Sequence, residues 1–136
     1  MAKKKVFISY EHDHDFQSKE NFVQQSKNRE AQFSMTDSSL LEAEPIAKWV
    51  TEARRRIGEC DVFMVLLGPN THNAPGVRRE VDIAMGLKKN LFQLMPQGRN
   101  YGTVHGAGEV VPWKWKSLEP RLSTDPSRVR KKAHGP

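Results

Sequence analysis

A three-layer α/β fold around a mainly parallel sheet of about five strands is what this sequence predicts, and three observations carry the prediction. Asp61-Val62-Phe63-Met64-Val65-Leu66-Leu67 is a continuous apolar run bounded by turn residues. Such a run lacks alternation because both of its faces are covered, as in a central parallel strand under helices. Strand-like and helix-like segments then alternate along the chain, and short turn-rich loops join them, which is the pattern of βαβ crossovers. At 136 residues the chain also suits one domain, because single cores usually occupy about 100–200 residues.

The elements follow in order. Val6-Phe7-Ile8 is a short β-branched and aromatic run ending in Ser9-Tyr10, and the polar cluster Glu11-His12-Asp13-His14-Asp15 behind it reads as a loop. Phe16 to Asn28 places Phe16, Phe22 and Val23 among polar residues without Gly or Pro, as a one-sided surface helix does. Gln32-Phe33-Ser34-Met35-Thr36 alternates as an edge strand, and Asp37-Ser38-Ser39 closes it. From Glu44, the residues Ile46, Ala47, Val50, Ala53 and Ile57 fall at helical spacing. Pro45 is acceptable in the first turn of that helix, Arg54 to Arg56 favour its carboxyl end, and Gly58 stops it.

The central run closes at Gly68-Pro69-Asn70, and a second helix carries Val77, Val81, Ala84, Met85 and Lys88 on one stripe until Asn90 ends it. Leu91 to Met95 is a fourth strand, closed by Pro96. Gln97 to Glu109 holds four glycines and gives no pattern, and Val110 to Trp115 suits a fifth strand that Pro112 confines to an edge. Together these elements predict a flavodoxin-like sandwich over residues 4–122, followed by a basic, disordered tail over 123–136.

Composition bounds the function. The apolar fraction of 37% and charged fraction of 28% are those of a globular protein, and no run reaches the 18 apolar residues that a membrane span needs. The apolar run near the amino end is too short for a secretory signal, so a cytoplasmic location is expected. The net charge of +6 divides between Lys3 to Lys5 and the stretch after Ser117, while Val6 to Lys116 carries 14 basic and 14 acidic residues. A neutral body with basic ends argues against a specific nucleic-acid reader. Cys60, the only cysteine, allows no internal disulfide and reads as a small buried hydrophobe.

Ligands of open α/β sheets bind outside the carboxyl ends of the strands. Three loops converge there: Ser9 to Asp15, Asp37 to Glu44 and Gly68 to Gly76. Glu80 lies about 60° from the centre of its helix's apolar stripe by the 3.6-residue period, turned towards these loops. A carboxylate there suits an oxocarbenium-like centre or a ribose hydroxyl. The alternative is a surface Glu that complements the helix dipole. His72 could contact a substrate phosphate or simply lie on the loop surface.

His12 and His14 beside Asp13 and Asp15 resemble a metal set only in composition, since consecutive loop positions point apart and no distant third ligand appears; no metal is expected. Trp113 and Trp115 pack on the core or stack on an adenine. The chain has no G-x-x-x-x-G-K, G-x-G-x-x-G or G-x-S-x-G. A phospho-accepting receiver is excluded as well, because the central strand ends Leu66-Leu67-Gly68 without an Asp.

The segments KVFISYEHDHD, ECDVFMVLLGPNTHNAPGVRREVDIAMGLKKN, LFQLMP and PWKWKSLE cover most of residues 4 to 120. In this order they resemble the TIR-like family, and they are similar above all to the subset that includes the TIR-like proteins of Thoeris antiphage defence. The resemblance implies cleavage of the nicotinamide bond of NAD, giving ADP-ribose or a cyclic ADP-ribose-type signal, with NAD as substrate and no cofactor. It implies that Glu80 is the essential glutamate, that Ser9 and Tyr10 form the end of strand one, and that Asp15 is the loop acid. Gly68 and Thr71 match the central "G-x-x-T" loop, and Ser9, Tyr10, Asp15, Gly68, Thr71 and His72 are the residues expected to bind the substrate around Glu80. Where the family's W-V-x-x-E pattern has an aromatic residue, this chain has Gly76, followed by Val77. The alternative implied by the same family is a non-catalytic module that self-associates or docks a signalling effector protein.

Overall fold

The structure, a computed structural model, describes residues 4–28, 33–37 and 46–122. Five strands, β1 (Lys4–Ser9), β2 (Phe33–Asp37), β3 (Val62–Leu66), β4 (Asn90–Met95) and β5 (Glu109–Pro112), form one sheet in the order β2-β1-β3-β4-β5. Every neighbouring pair is parallel. The helices are α1 (His12–Asn28), α2 (Ile46–Glu59), α3 (Pro75–Gly86) and α4 (Trp115–Leu122).

Period-two alternation divides the strand side chains between two cores. Val6, Ile8, Val62, Met64 and Leu66 face Phe22 of α1 and Leu118 and Leu122 of α4. Phe7, Phe63, Val65 and Leu67 face Ala53 and Ile57 of α2 and Val77, Val81 and Ala84 of α3. All five residues of β3 are buried, so the unbroken apolar run is the middle of the sheet. Cys60 is a free, buried thiol in the second core, and burial pushes its pKa up.

Several elements differ from the sequence reading for identifiable reasons. The acidic cluster after β1 is the first turn of α1, where Asp13 and Asp15 complement the helix dipole. The buried face of α1 is Asp15, Lys19, Phe22 and Ser26, while Phe16 is 51% exposed. Helix α2 continues through Gly58 to Glu59, and α3 ends at Gly86. Met85 lies within α3 but off its buried stripe and is exposed, Lys88 lies beyond the helix with φ 57°, and Asn90 opens β4. Strand β5 stops at Pro112, and Trp115 opens α4, which contains Pro120 and is held by the buried Leu118 and Leu122. Glu44, Pro45 and the tail 123–136 lie outside the described residues.

The β4–β5 connection carries no helix and is pinned by a side chain. Gln93 accepts the Val104 N–H at 2.7 Å and donates to the Gly108 carbonyl at 2.8 Å. Gly108 adopts φ 87° within 2.4 Å of the Leu91 carbonyl oxygen at the position a Cβ would take, so only glycine closes this loop.

On the other face, Phe22 meets Trp113 edge-on at 5.5 Å and stacks on Trp115 at 5.1 Å. Both indole N–H groups donate to Gln25 Oε1, each at 2.9 Å. The tryptophans thereby join α1 to the end of the sheet. Phe22→Ala is expected to cost about 3–5 kcal/mol, read as a lower midpoint in urea denaturation.

Candidate functional site

Ser9, the last residue of β1, points to the same face as Phe7 and is fully buried. Its Oγ donates to Glu80 Oε1 at 2.6 Å. Glu80 shares the buried stripe of α3 with Val77, Val81 and Ala84, the i, i+3, i+4, i+7 spacing of a core-facing surface, and is 2% exposed. Pro75 begins the helix at a position where a fixed φ is compatible with it.

Glu80 borders a cavity of about 210 Å³ whose walls include Tyr10, His12, Trp49, Pro75 and Gly76. The rings of Tyr10 and His12 stack at 4.5 Å, 5° from parallel. A Cβ at Gly76 would meet nothing within 4 Å, so the backbone position where the family pattern has its aromatic is open. Trp49 supplies an aromatic face instead, from α2. Its place was readable as the amino-terminal member of the i, i+4, i+8 series Trp49, Ala53, Ile57, but the sequence reading did not single it out. The first turn of a helix that follows a parallel strand lies at the carboxyl edge of the sheet, which puts Trp49 beside the loops.

A second polar cluster is built from Asp15, Gly68 and Thr71. Thr71 Oγ1 accepts the Gly68 N–H at 2.6 Å and donates to Asp15 Oδ2 at 3.2 Å, and Asp15 is 4% exposed. A Cβ on Gly68 would lie 2.1 Å from Asp15 Oδ1. Asp15 borders a separate, larger cavity of about 830 Å³. His72 lies in the short 3-10 turn Thr71–Asn73, with its Nδ1 2.8 Å from where a Gly102 Cβ would stand, and lines neither cavity. The structure thus places Tyr10 and Glu80 on one cavity, with Ser9 buried behind it and bonded to Glu80, and gathers Asp15, Gly68 and Thr71 in a second cluster.

Burial pushes the Asp15 carboxyl above its ordinary value of 3.8, and the Thr71 hydrogen bond partly offsets this. The folded protein therefore holds this proton to a higher pH than the unfolded chain. The resulting stabilisation is complete below 3.8 and is lost as pH rises through the folded value. Asp15→Asn keeps an acceptor for Thr71 and should be more stable than wild type at neutral pH. The difference should vanish in urea denaturation performed below the unfolded pKa.

Among the described residues, no group of three or more His, Cys, Asp and Glu side chains is arranged to hold a metal ion. Nor is any helix among them long and apolar enough to cross a membrane.

The TIR domain of the Toll-related receptor TRR-2 from Hydra magnipapillata superimposes with a TM-score of 0.57 at 12% identity, over 95% of this chain and 98% of that one. The five-stranded parallel sheet in this order, with four helices, is accordingly a TIR-like, flavodoxin-like fold. A family model described as "Thoeris protein ThsB, TIR-like domain" matches residues 7–101. The chain belongs to that family. No curated protein matches it.

Proposed function

We propose that this ThsB-family TIR-like domain consumes NAD as part of Thoeris antiphage defence, with Glu80 as its catalytic carboxylate. The observation that carries the reading is the position of Glu80: 2% exposed, held by Ser9 and facing a cavity with aromatic walls. Taking a carboxylate out of water costs several kcal/mol, and an acid maintained there at that cost is a candidate for chemistry.

In the proposed reaction the bond between ribose C1′ and the nicotinamide ring nitrogen breaks, and its electron pair leaves with neutral nicotinamide. Positive charge develops over C1′ and the ring oxygen of the ribose, where a fixed carboxylate stabilises it. Ser9 orients Glu80, Trp49 offers a partly exposed aromatic face to the nicotinamide ring, and Tyr10, buried with His12 stacked on it, backs the cavity. Attack by water, with release of a proton, gives ADP-ribose; attack by an adenine nitrogen gives a cyclic product.

The cavity of about 210 Å³ suits the nicotinamide end, leaving the adenosine end outside it. Asp15, Gly68, Thr71 and His72 support the site in this proposal by fixing the segment between β3 and α3. The domain would act in the cytoplasm, passing its product or its own association state to an effector protein.

Mass spectrometry of small molecules in cells expressing wild type or Glu80→Gln, with and without phage, tests the reading. Falling NAD or a new ADP-ribose-derived product with wild type alone is expected. Unchanged nucleotide pools in both would leave the domain as a protein-docking module.

A further inference from the structure

The larger cavity, about 830 Å³, takes no part in the chemistry proposed for Glu80. Leu67, Pro96 and Trp113, which line it, are the residues immediately after β3, β4 and β5, so it sits on the carboxyl edge of half the sheet. The opposite wall is one face of α1, with His14, Ser18, Asn21 and Gln25 at helical spacing and Asp15 beside them. The β4–β5 connection carries no helix, and it contributes Arg99 and Tyr101.

The lining has a definite chemical character. Arg99, Lys114 and Lys116 are exposed on it, and none of them forms an ion pair among the described residues. Asp15 is the one carboxylate among the lining residues. Three cations collect here although Val6 to Lys116 as a whole is neutral, which gives the cavity a local preference for anions. Tyr101, Trp113 and Trp115 add partly exposed aromatic surface. The two indole rings are already fixed by Gln25, so a stacking ligand would meet rigid partners.

We propose that this cavity is a second ligand site, taking a single nucleoside phosphate. The base lies against the aromatic side chains, the phosphates meet Arg99, Lys114 and Lys116, and a ribose hydroxyl donates to Asp15. The volume falls within the roughly 300–1,000 Å³ of small-molecule sites and accommodates one nucleotide rather than a strand. An oligonucleotide tracking the same cations is the competing occupant.

Calorimetric titration of ADP into the full chain tests the assignment. Saturable binding is expected with about one ADP per chain. Adenosine and inorganic phosphate should each bind at least tenfold more weakly than ADP. The triple reversal R99E/K114E/K116E should weaken ADP at least tenfold, and the milder Arg99→Gln should weaken it measurably if the triple variant folds poorly. Trp49→Ala, which alters the Glu80 cavity, should leave ADP binding unchanged. Three results would overturn the proposal: no saturation at millimolar ADP, loss of binding in Trp49→Ala with the cation variants unaffected, or tighter binding of a tetranucleotide than of ADP. Because the readout is binding and not turnover, the outcome is separate from the fate of the NAD reaction.

Discussion

Gly68→Ala should lower stability by about 3 kcal/mol, a fall in melting temperature of roughly 10 °C for a domain of this size. The Cβ would stand 2.1 Å from Asp15 Oδ1 and 2.4 Å from its Cγ, well inside any tolerable contact. Asp15 has little room to retreat, because its carboxylate is nearly buried and tied to Thr71 Oγ1. The backbone cannot move freely either, since the Gly68 N–H donates to that same hydroxyl. Removing the obstruction should restore the fold. In the double variant G68A/D15A the clash is absent, so the two substitutions should be non-additive by about 1–3 kcal/mol. Additive losses in thermal melts of the four proteins would mean that glycine is required there for another reason.

Glu80→Gln should separate stability from activity. Glutamine preserves the side chain's size and leaves an oxygen to accept the Ser9 hydroxyl, while removing the cost of a buried charge. Its urea midpoint is therefore expected to equal or exceed that of wild type. Turnover should fall roughly a hundred- to a thousand-fold, the usual loss when one stabiliser of transition-state charge is removed. A glutamate kept only for packing would give the same urea midpoint and no turnover to lose, so the turnover is the arm that separates the two roles.

Much of this architecture is local and was therefore visible in the residues. The unbroken apolar run of β3, the alternation of β2 and the Ala53–Ile57 stripe of α2 each reflect burial that a short window records. The start of α1 is not local in this sense. Its buried face includes Asp15, Lys19 and Ser26, and polar residues reveal their burial only through distant partners such as Thr71, 56 positions from Asp15. Helix α4 begins at Trp115, which the alternation of Val110 to Trp115 assigned to a strand, and it carries Pro120, a residue that costs a helix interior about 3 kcal/mol, beside the buried Leu118 and Leu122.

At the candidate site the same division applies. The turn of Glu80 towards the loops followed from helical period, but its bond to Ser9 spans 71 positions. Which cavity each loop residue borders depended on that tertiary geometry as well. Ser9, Tyr10 and Asp15 are near neighbours in the chain, yet Tyr10 borders the Glu80 cavity and Asp15 the larger one.

Release of nicotinamide from NAD by purified wild type and Glu80→Gln, assayed side by side on samples of matched urea midpoint, tests the central claim most directly. The account predicts nicotinamide from wild type and a loss of at least a hundred-fold in the variant; equal rates from the two proteins would contradict it.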